Sequence, residues 1–200
     1  MAEFDEPGAW SRYNATQGDR PPRPLALTLL QHAGEGAGRL ALDLGSGAGV
    51  ESALLLEHGW RVLAVDGDPA AADLLRARLS TEQAQRLTTR TTDFADLDAL
   101  PAVDVVHAAW SLPYAGVHLE RLWELLLSAL VPGGWLACQL FGVRATADAA
   151  DVARLSTADV DRFLDRLDVV HREEQEADGT ASGRPTHWHV HSVVGRRRPA

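Results

Sequence analysis

The stretch Arg39–Val50 constrains the fold of this chain more than any other. It reads Arg-Leu-Ala-Leu-Asp-Leu-Gly-Ser-Gly-Ala-Gly-Val. An apolar run leads through Asp43 to three alternate glycines, Gly45, Gly47 and Gly49, and an amphipathic segment follows. A short apolar run that ends on glycine is a buried strand. Glycine admits positive φ and lets a ligand approach the main chain closely. The helix that opens behind the turn offers its free amides to a polar or anionic group. Strand, glycine turn and helix in that order make a nucleotide-shaped site.

The remaining elements extend this unit. Pro24–Ala33 has Leu25, Leu29 and Leu30 on one helical face and is ended by Gly34, Gly36 and Gly38. Strands are predicted at Leu40–Leu44, Arg61–Val65, Leu87–Thr91, Val103–Ala109 and Trp135–Phe141. Between them lie helices at Val50–His58, with Ala53, Leu54 and Leu55 inward, at about Pro69–Leu79, and at Leu119–Leu130. Asp68 is placed to N-cap the second of these. Pro132-Gly133-Gly134 reads as a turn. Five strands alternating with helices predict an α/β fold with a parallel, doubly wound sheet. The pattern changes after residue 141. A polar connection spans 148–158, Thr157 caps a helix from about Ala158 to Leu167, and two extended segments follow at Val169–Gln175 and His187–Val194. Joined through Asp178-Gly179 with no helix between them, they pair as an antiparallel hairpin. Two hundred residues suit one domain. Within it, 1–35 form an N-terminal segment and helix, and 36–200 form the α/β body.

Composition narrows the function. The net charge of −9 argues against nucleic acid, whose binding rests on cationic side chains. The one basic run, Arg196–Arg198, reads as a solvated tail. Every basic residue is arginine, which removes the P-loop lysine and Schiff-base chemistry together. The single cysteine, Cys138, suits a reducing cytoplasm. No apolar run reaches membrane-spanning length, and the acidic start (Glu3, Asp5, Glu6) is unlike a signal peptide. No feature of the sequence specifies an oligomer.

Ligands of open α/β sheets sit beyond the carboxyl ends of the strands. The glycine turn follows the first strand. Asp66-Gly67 follows the second, about 20 residues on, where an acid accepts from ribose hydroxyls. Asp93-Phe94 follows the third, within reach of an exocyclic amine, and Trp110-Ser111-Leu112-Pro113-Tyr114 follows the fourth. Two details choose the cofactor. A dinucleotide fingerprint needs glycine where Val50 stands. Asp43, just before the turn, repels a pyrophosphate and attracts a cation. S-adenosylmethionine carries a sulfonium, an ammonium and a ribose diol, and it suits that pattern where NAD does not.

On these residues the chain resembles the class I S-adenosylmethionine-dependent methyltransferases, and among them the small tellurite-resistance-type group. The Asp43–Gly49 turn resembles that family's first motif, Asp66 its ribose-binding acid, Asp93-Phe94 its adenine site, and Pro132-Gly133-Gly134 the turn before its fifth strand. The resemblance implies a Rossmann-like, doubly wound sheet of seven strands in the order 3-2-1-4-5-7-6, mostly parallel with an antiparallel C-terminal hairpin. It also implies a cofactor site of Asp43, Gly45, Ser46, Gly47, Gly49, Asp66, Gly67, Asp93 and Phe94. Trp110 would flank the methionine end, and Trp10 and Tyr13 would lie in a segment that folds over the cofactor.

The activity so implied is methyl transfer to a small-molecule acceptor, with S-adenosylhomocysteine as product. The alternatives are a non-catalytic cofactor-binding regulatory module and a nucleic-acid or protein methyltransferase. Leu112 replaces the first proline of the Pro-Pro-Tyr signature of DNA amino-methyltransferases. Candidate bases are Tyr114, His118, His171 and His187. His107 sits mid-strand and reads as a core residue. His187, His189 and His191 alternate and share one strand face, but no carboxylate partner is evident in the sequence, so no metal is expected.

Overall fold

A computed structural model describes residues 8–146, 151–181 and 183–199. Its centre is a seven-stranded sheet in the order β3-β2-β1-β4-β5-β7-β6, as expected. The strands are β1 (Leu40–Leu44), β2 (Arg61–Asp66), β3 (Leu87–Thr91), β4 (Val103–Ala108), β5 (Leu130–Phe141), β6 (Leu167–Ala181) and β7 (Arg184–Arg197). β1 to β5 are parallel, and β7 inserts antiparallel between β5 and β6.

Alternation along the strands divides the core. Leu42, Leu44, Val106 and Leu136 meet α6 (Leu119–Ala129) and α7 (Thr157–Phe163) through Leu122, Leu126 and Phe163. Ala41, Val62 and Val105 on the other face meet α2 (Pro24–Ala33) and α3 (Val50–Glu57) through Leu29, Leu55 and Leu56. The fully buried Trp60 joins this second layer, and Trp123 the first. Asp43 lies beside His107 in the β1–β4 register, both on the α2–α3 side, so the polar floor of the site grows out of an otherwise apolar layer.

Several local expectations change. The buried face of α3 is Val50, Glu51, Ser52, Leu55 and Leu56, while Ala53 and Leu54 are half-buried. A polar pair faces inward because Ser52 and Glu51 find buried partners. The helix after Asp68 is shorter than expected: α4 spans Ala71–Arg76, and α5 (Thr81–Gln85) follows behind a capping box of Ser80 and Gln83. Pro132-Gly133-Gly134 lies inside β5. Its conformation is absorbed by a register shift against β4 at Val103–Val105. Of the connection expected at 148–158, residues 148–150 lie outside the described residues, and Gly142 and Leu155 form an isolated bridge. Ser156, not Thr157, caps α7, in a reciprocal box with Asp159, and the helix stops at Phe163.

The hairpin is longer than expected. Asp178 and Gly179 pair with His187 and Thr186 inside the ladder, and the chain reverses beyond Ala181. Cross-strand pairing overrides a sequence pattern that reads as a turn. Arg196 and Arg197 belong to β7, and Arg198 pairs with Asp168 at 2.8 Å, so this basic run is structured. At the other end, Ala9–Thr16 forms helix α1. No helix among the described residues is long and apolar enough to cross a membrane.

Candidate functional site

A cavity of about 770 Å³ opens at the carboxyl ends of β1, β2 and β4. That volume is typical of small-molecule sites. The glycine turn forms its base, the loops after β2, β3 and β4 form its walls, α1 lies over it, and Thr180, Ala181 and Trp188 of the hairpin close one side. Gly45 is required twice over. Its φ is 73°, and a Cβ there would lie 2.4 Å from Ser111 Cβ. Gly49 has φ 78° and abuts Leu75, where a Cβ would approach the Leu75 side chain to 2.5 Å.

Most of the residues singled out from sequence converge here. Asp43, Gly45, Ser46, Gly47, Asp66, Gly67, Asp93, Phe94, Trp110, Trp10 and Tyr13 all line the cavity. Gly49 does not. It packs behind the turn, and its place in the motif is conformational. Asp66 accepts from the Gly47 amide at 2.7 Å and the Asp68 amide at 2.8 Å. Burial raises its pKa against those two hydrogen bonds, with Asp68 and Asp43 adding repulsion.

Asp68 does more than cap a helix. It accepts from Ala70 N–H at 3.0 Å, and it also receives Ser11 Oγ at 2.5 Å and Asn14 Nδ2 at 2.8 Å. It thereby ties α1 to the loop after β2. Burial alone would raise its pKa, but the Ser11, Asn14 and Ala70 hydrogen bonds bring it below the usual carboxylate value.

The floor is a buried charge network. His107 Nδ1 lies 2.8 Å from Asp43 Oδ1, and Ser52 donates to Asp43 Oδ2 at 2.5 Å. Arg20 grips Glu51 with both guanidinium nitrogens at 2.5 and 2.7 Å, and the Arg23 amide adds a third contact at 3.0 Å. Desolvation would raise Glu51, but the Arg20 fork, His107 and the Arg23 amide hold it at about 2. Burial lowers His107, and the hydrogen bond and charge of Asp43 more than reverse this. For Arg23, desolvation and the neighbouring Arg20 charge bring its pKa down. Sequence reasoning missed His107, Arg20, Arg23 and Glu51. An apolar run hides His107 in β4, and the arginines precede the sheet by too far for any spacing rule to link them.

The outer wall is aromatic. Trp110 meets Trp188 edge to face at 4.9 Å and Phe141 at 5.6 Å, with the Arg23 guanidinium 5.6 Å from its ring. Its φ is 55°, a left-handed conformation costing a bulky residue on the order of 1–3 kcal/mol. Trp10 reaches Tyr114 at 4.8 Å. Of the candidate bases, Tyr114 and His118 line the cavity, whereas His171 and His187 do not. The His187 ring is held by Asp178 at 2.7 Å and Glu176 at 2.9 Å. Burial and Tyr13 push the Tyr114 phenol up to about 12, so it is a hydrogen-bond donor rather than a base at neutral pH.

A family model described as a methyltransferase domain matches residues 41–134, the segment from β1 to the start of β5. That segment, just under half of the chain, is a methyltransferase domain by this match, and the seven-stranded sheet around it has the fold of the class I S-adenosylmethionine-dependent methyltransferases. No curated protein matches the chain. Among solved structures, this methyltransferase is similar to 1,6-didemethyltoxoflavin-N1-methyltransferase from Burkholderia thailandensis. The identity is 19%, with 98% of this chain and 87% of that one covered and a TM-score of 0.72. That protein binds 1,6-didemethyltoxoflavin and S-adenosylhomocysteine. It is also similar to TehB from Haemophilus influenzae (12% identity, 94% and 67% covered, TM-score 0.73). A third similar structure is the N-methyltransferase NodS from Bradyrhizobium japonicum WM9, in complex with S-adenosylhomocysteine (19%, 96% and 89%, 0.66). At these identities the likeness is one of fold.

The cavity beside this methyltransferase domain fits S-adenosylmethionine on chemical grounds. Three buried polar atoms of cavity-lining residues, His107 Nε2, Ser111 Oγ and Arg20 Nε, lack a partner among the described residues. Such atoms are destabilising unless a ligand or solvent satisfies them. Carboxylates on two walls and an acid–base floor match a diol, an amine and a zwitterion.

Proposed function

We propose that this methyltransferase acts on a small-molecule acceptor, in the cytoplasm, and without nucleic acid as substrate. The observation that carries the reading is the cover over the cavity on two sides. Helix α1 is fastened to the loop after β2 through Asp68, and its Trp10 rests on Tyr114. The opposite side is shut by Trp188 against Trp110. Among the described residues, α1 and the hairpin narrow the approach to the cavity from two sides, and the net charge of −9 opposes phosphate backbones.

Bound S-adenosylmethionine supplies an activated methyl group whose in-line transfer to an acceptor lone pair leaves S-adenosylhomocysteine. The protein contributes position and dryness, which are worth roughly 7–11 kcal/mol in well-oriented reactions. In our assignment Asp66 accepts from the ribose hydroxyls, and Asp93 with Phe94 holds the adenine. The backbone of Gly45, Ser46 and Gly47, with Gly67, lies along the cofactor. Asp43, His107, Arg20 and Arg23 form a charged seat for its amino-acid end. Trp110, Trp10 and Tyr13 exclude water. Tyr114 donates a hydrogen bond at the acceptor side. His118, exposed and lining the cavity, is our candidate to take a proton from an acceptor that carries one.

Calorimetry with S-adenosylhomocysteine tests the site, with binding expected at sub-millimolar concentration. A methyl-labelled cofactor presented with pooled thiols, amines and hydroxylated heterocycles, and separately with protein and nucleic acid, tests the acceptor. Label in the small-molecule fraction is expected. Label in a macromolecule overturns the proposal.

A further inference from the structure

The hairpin carries a second cluster of ligand-type side chains. His187, His189 and His191 on β7 stand opposite Asp178, Glu176 and Glu174 on β6, pair by pair. Two of the three acids are committed to His187. Asp178 and Glu176 hold His187, and Arg144 also grips Glu176, Nε to Oε1 at 2.8 Å and Nη2 to Oε2 at 2.7 Å. Glu174, His189 and His191 remain. His189 Nε2 lies 2.8 Å from Glu174 Oε1, and His191 Nδ1 lies 3.9 Å from Glu174 Oε2. One ligand atom from each residue falls within 4.8 Å of the other two. The carboxylate that the sequence did not reveal is therefore Glu174, across the ladder.

Two observations set this cluster apart from an ordinary acid–histidine ladder. The His191 side chain has no exposure, yet neither ring nitrogen has a hydrogen-bond partner among the described residues. The His189 ring lies where a Cβ on Gly142 would sit, 2.1 Å from Nδ1, so glycine there makes room for the imidazole.

We propose that Glu174, His189 and His191 bind one divalent metal ion of the zinc class, leaving a fourth position to water. Two imidazoles and a carboxylate suit such an ion, and three protein ligands with an open position are a common arrangement. Ligand atoms around a tetrahedral zinc at about 2.0–2.2 Å lie roughly 3.3 Å apart. The separations of 2.8 and 3.9 Å fall on either side of that value, so the Glu174 carboxylate is within a side-chain adjustment of both rings. Glu174 is 40% exposed and provides the way in. Arg144 now guards that mouth, its Nη2 3.2 Å from His189 Nε2 and 3.4 Å from Glu174. Metal entry requires it to withdraw onto Glu176, which already holds it twice. The Arg144 amide, 3.3 Å from His189 Nδ1, must also give way, because a metal on Nε2 leaves the proton on Nδ1. The site faces away from the cofactor cavity, since Trp188, which lines that cavity, points to the other side of β7 from His189.

The test uses the tag-free full chain, stripped with chelator and titrated with zinc chloride by calorimetry. A parallel titration with cobalt(II) reports coordination by visible absorption. One ion per chain is expected. Glu174→Gln and His191→Ala should each weaken binding by more than the roughly 10- to 100-fold typical of an outer-shell change. Arg144→Ala should tighten binding by removing the competing cation, and His187→Ala should leave it unchanged. If His191→Ala does not fold, the exposed Glu174→Gln still decides. Absence of stoichiometric zinc overturns the proposal. So does binding that survives Glu174→Gln, or binding lost equally in His187→Ala, which would indicate adventitious surface histidines.

Discussion

Replacing Asp68 by alanine should undock the N-terminal helix while leaving the sheet intact. The carboxylate accepts Ser11 Oγ and Asn14 Nδ2 on its two oxygens, and Asn14 is itself buried. A hydrogen bond to a charged acceptor is worth about 1.5–3 kcal/mol. Two bonds to one acceptor are not independent, so a combined loss of about 3 kcal/mol is the working figure. At about 1.4 kcal/mol per decade this lowers the docked-to-undocked ratio of α1 by roughly 100-fold.

Hydrogen exchange reads that ratio directly: the amides of α1 should lose about two decades of protection, with those of β1 and β4 unchanged. The loss of S-adenosylhomocysteine affinity is bounded by the same factor, because only the docked fraction binds fully. Asp68→Asn keeps one acceptor oxygen and should fall between parent and alanine variant. The depressed pKa of Asp68 fixes the pH dependence. Its contribution is present above the unfolded carboxyl value of about 3.9 and is lost as pH falls through the lower folded value. Unchanged α1 protection in Asp68→Ala, with exchange faster only in α4, would refute the reasoning and leave Asp68 as a simple helix cap.

Asp66→Ala should lower S-adenosylhomocysteine affinity by about 100-fold or more in calorimetry, through loss of charge-assisted bonds to the ribose; affinity equal to the parent's removes Asp66 from the ribose site. The His107 pKa is raised in the fold, so its pairing with Asp43 stabilises fully below the unfolded value of about 6.5 and is lost as pH rises through the higher folded value. Thermal melts of parent and His107→Phe across pH 5–9 should therefore converge toward high pH; curves that diverge there contradict the pairing. Gly49→Ala should cost about 2–4 kcal/mol by chemical denaturation, from left-handed strain plus overpacking against Leu75; a loss below 0.5 kcal/mol on the order-of-magnitude scale of neutral surface changes would show that the turn relaxes freely.

The parts of the fold written in short-range pattern were legible in sequence. β1, the glycine turn and the pairing of β6 with β7 follow from periodicity and from residues that punctuate the chain. So do Asp66 and Asp93, because a parallel sheet places every strand end at one rim. What escaped depends on partners distant in sequence. His107 resembles core until Asp43 appears beside it on β1, and Glu51 looks out of place on a buried helix face until Arg20 arrives from outside the sheet. Asp178-Gly179 carries turn chemistry, yet β7 holds it in an extended ladder, whereas Pro132-Gly133-Gly134 keeps its bend as an irregularity within β5, with Gly133 at φ 78° and the β4 register skipping from Leu130 to Trp135. Glu174 is one acid among several on an exposed strand, and only the register sets it against His191.

The insertion of β7 between β5 and β6 bears on biosynthesis. β1 to β5 and their helices are complete before residues 184–197 leave the ribosome. Until then β5, rich in buried apolar side chains, presents an unpaired edge to other nascent chains. β6, translated earlier, cannot cover it, because its own ladder is with β7. The hairpin must therefore form and dock as a unit, and the β5 edge stays open from release of Phe141 to docking of Val190.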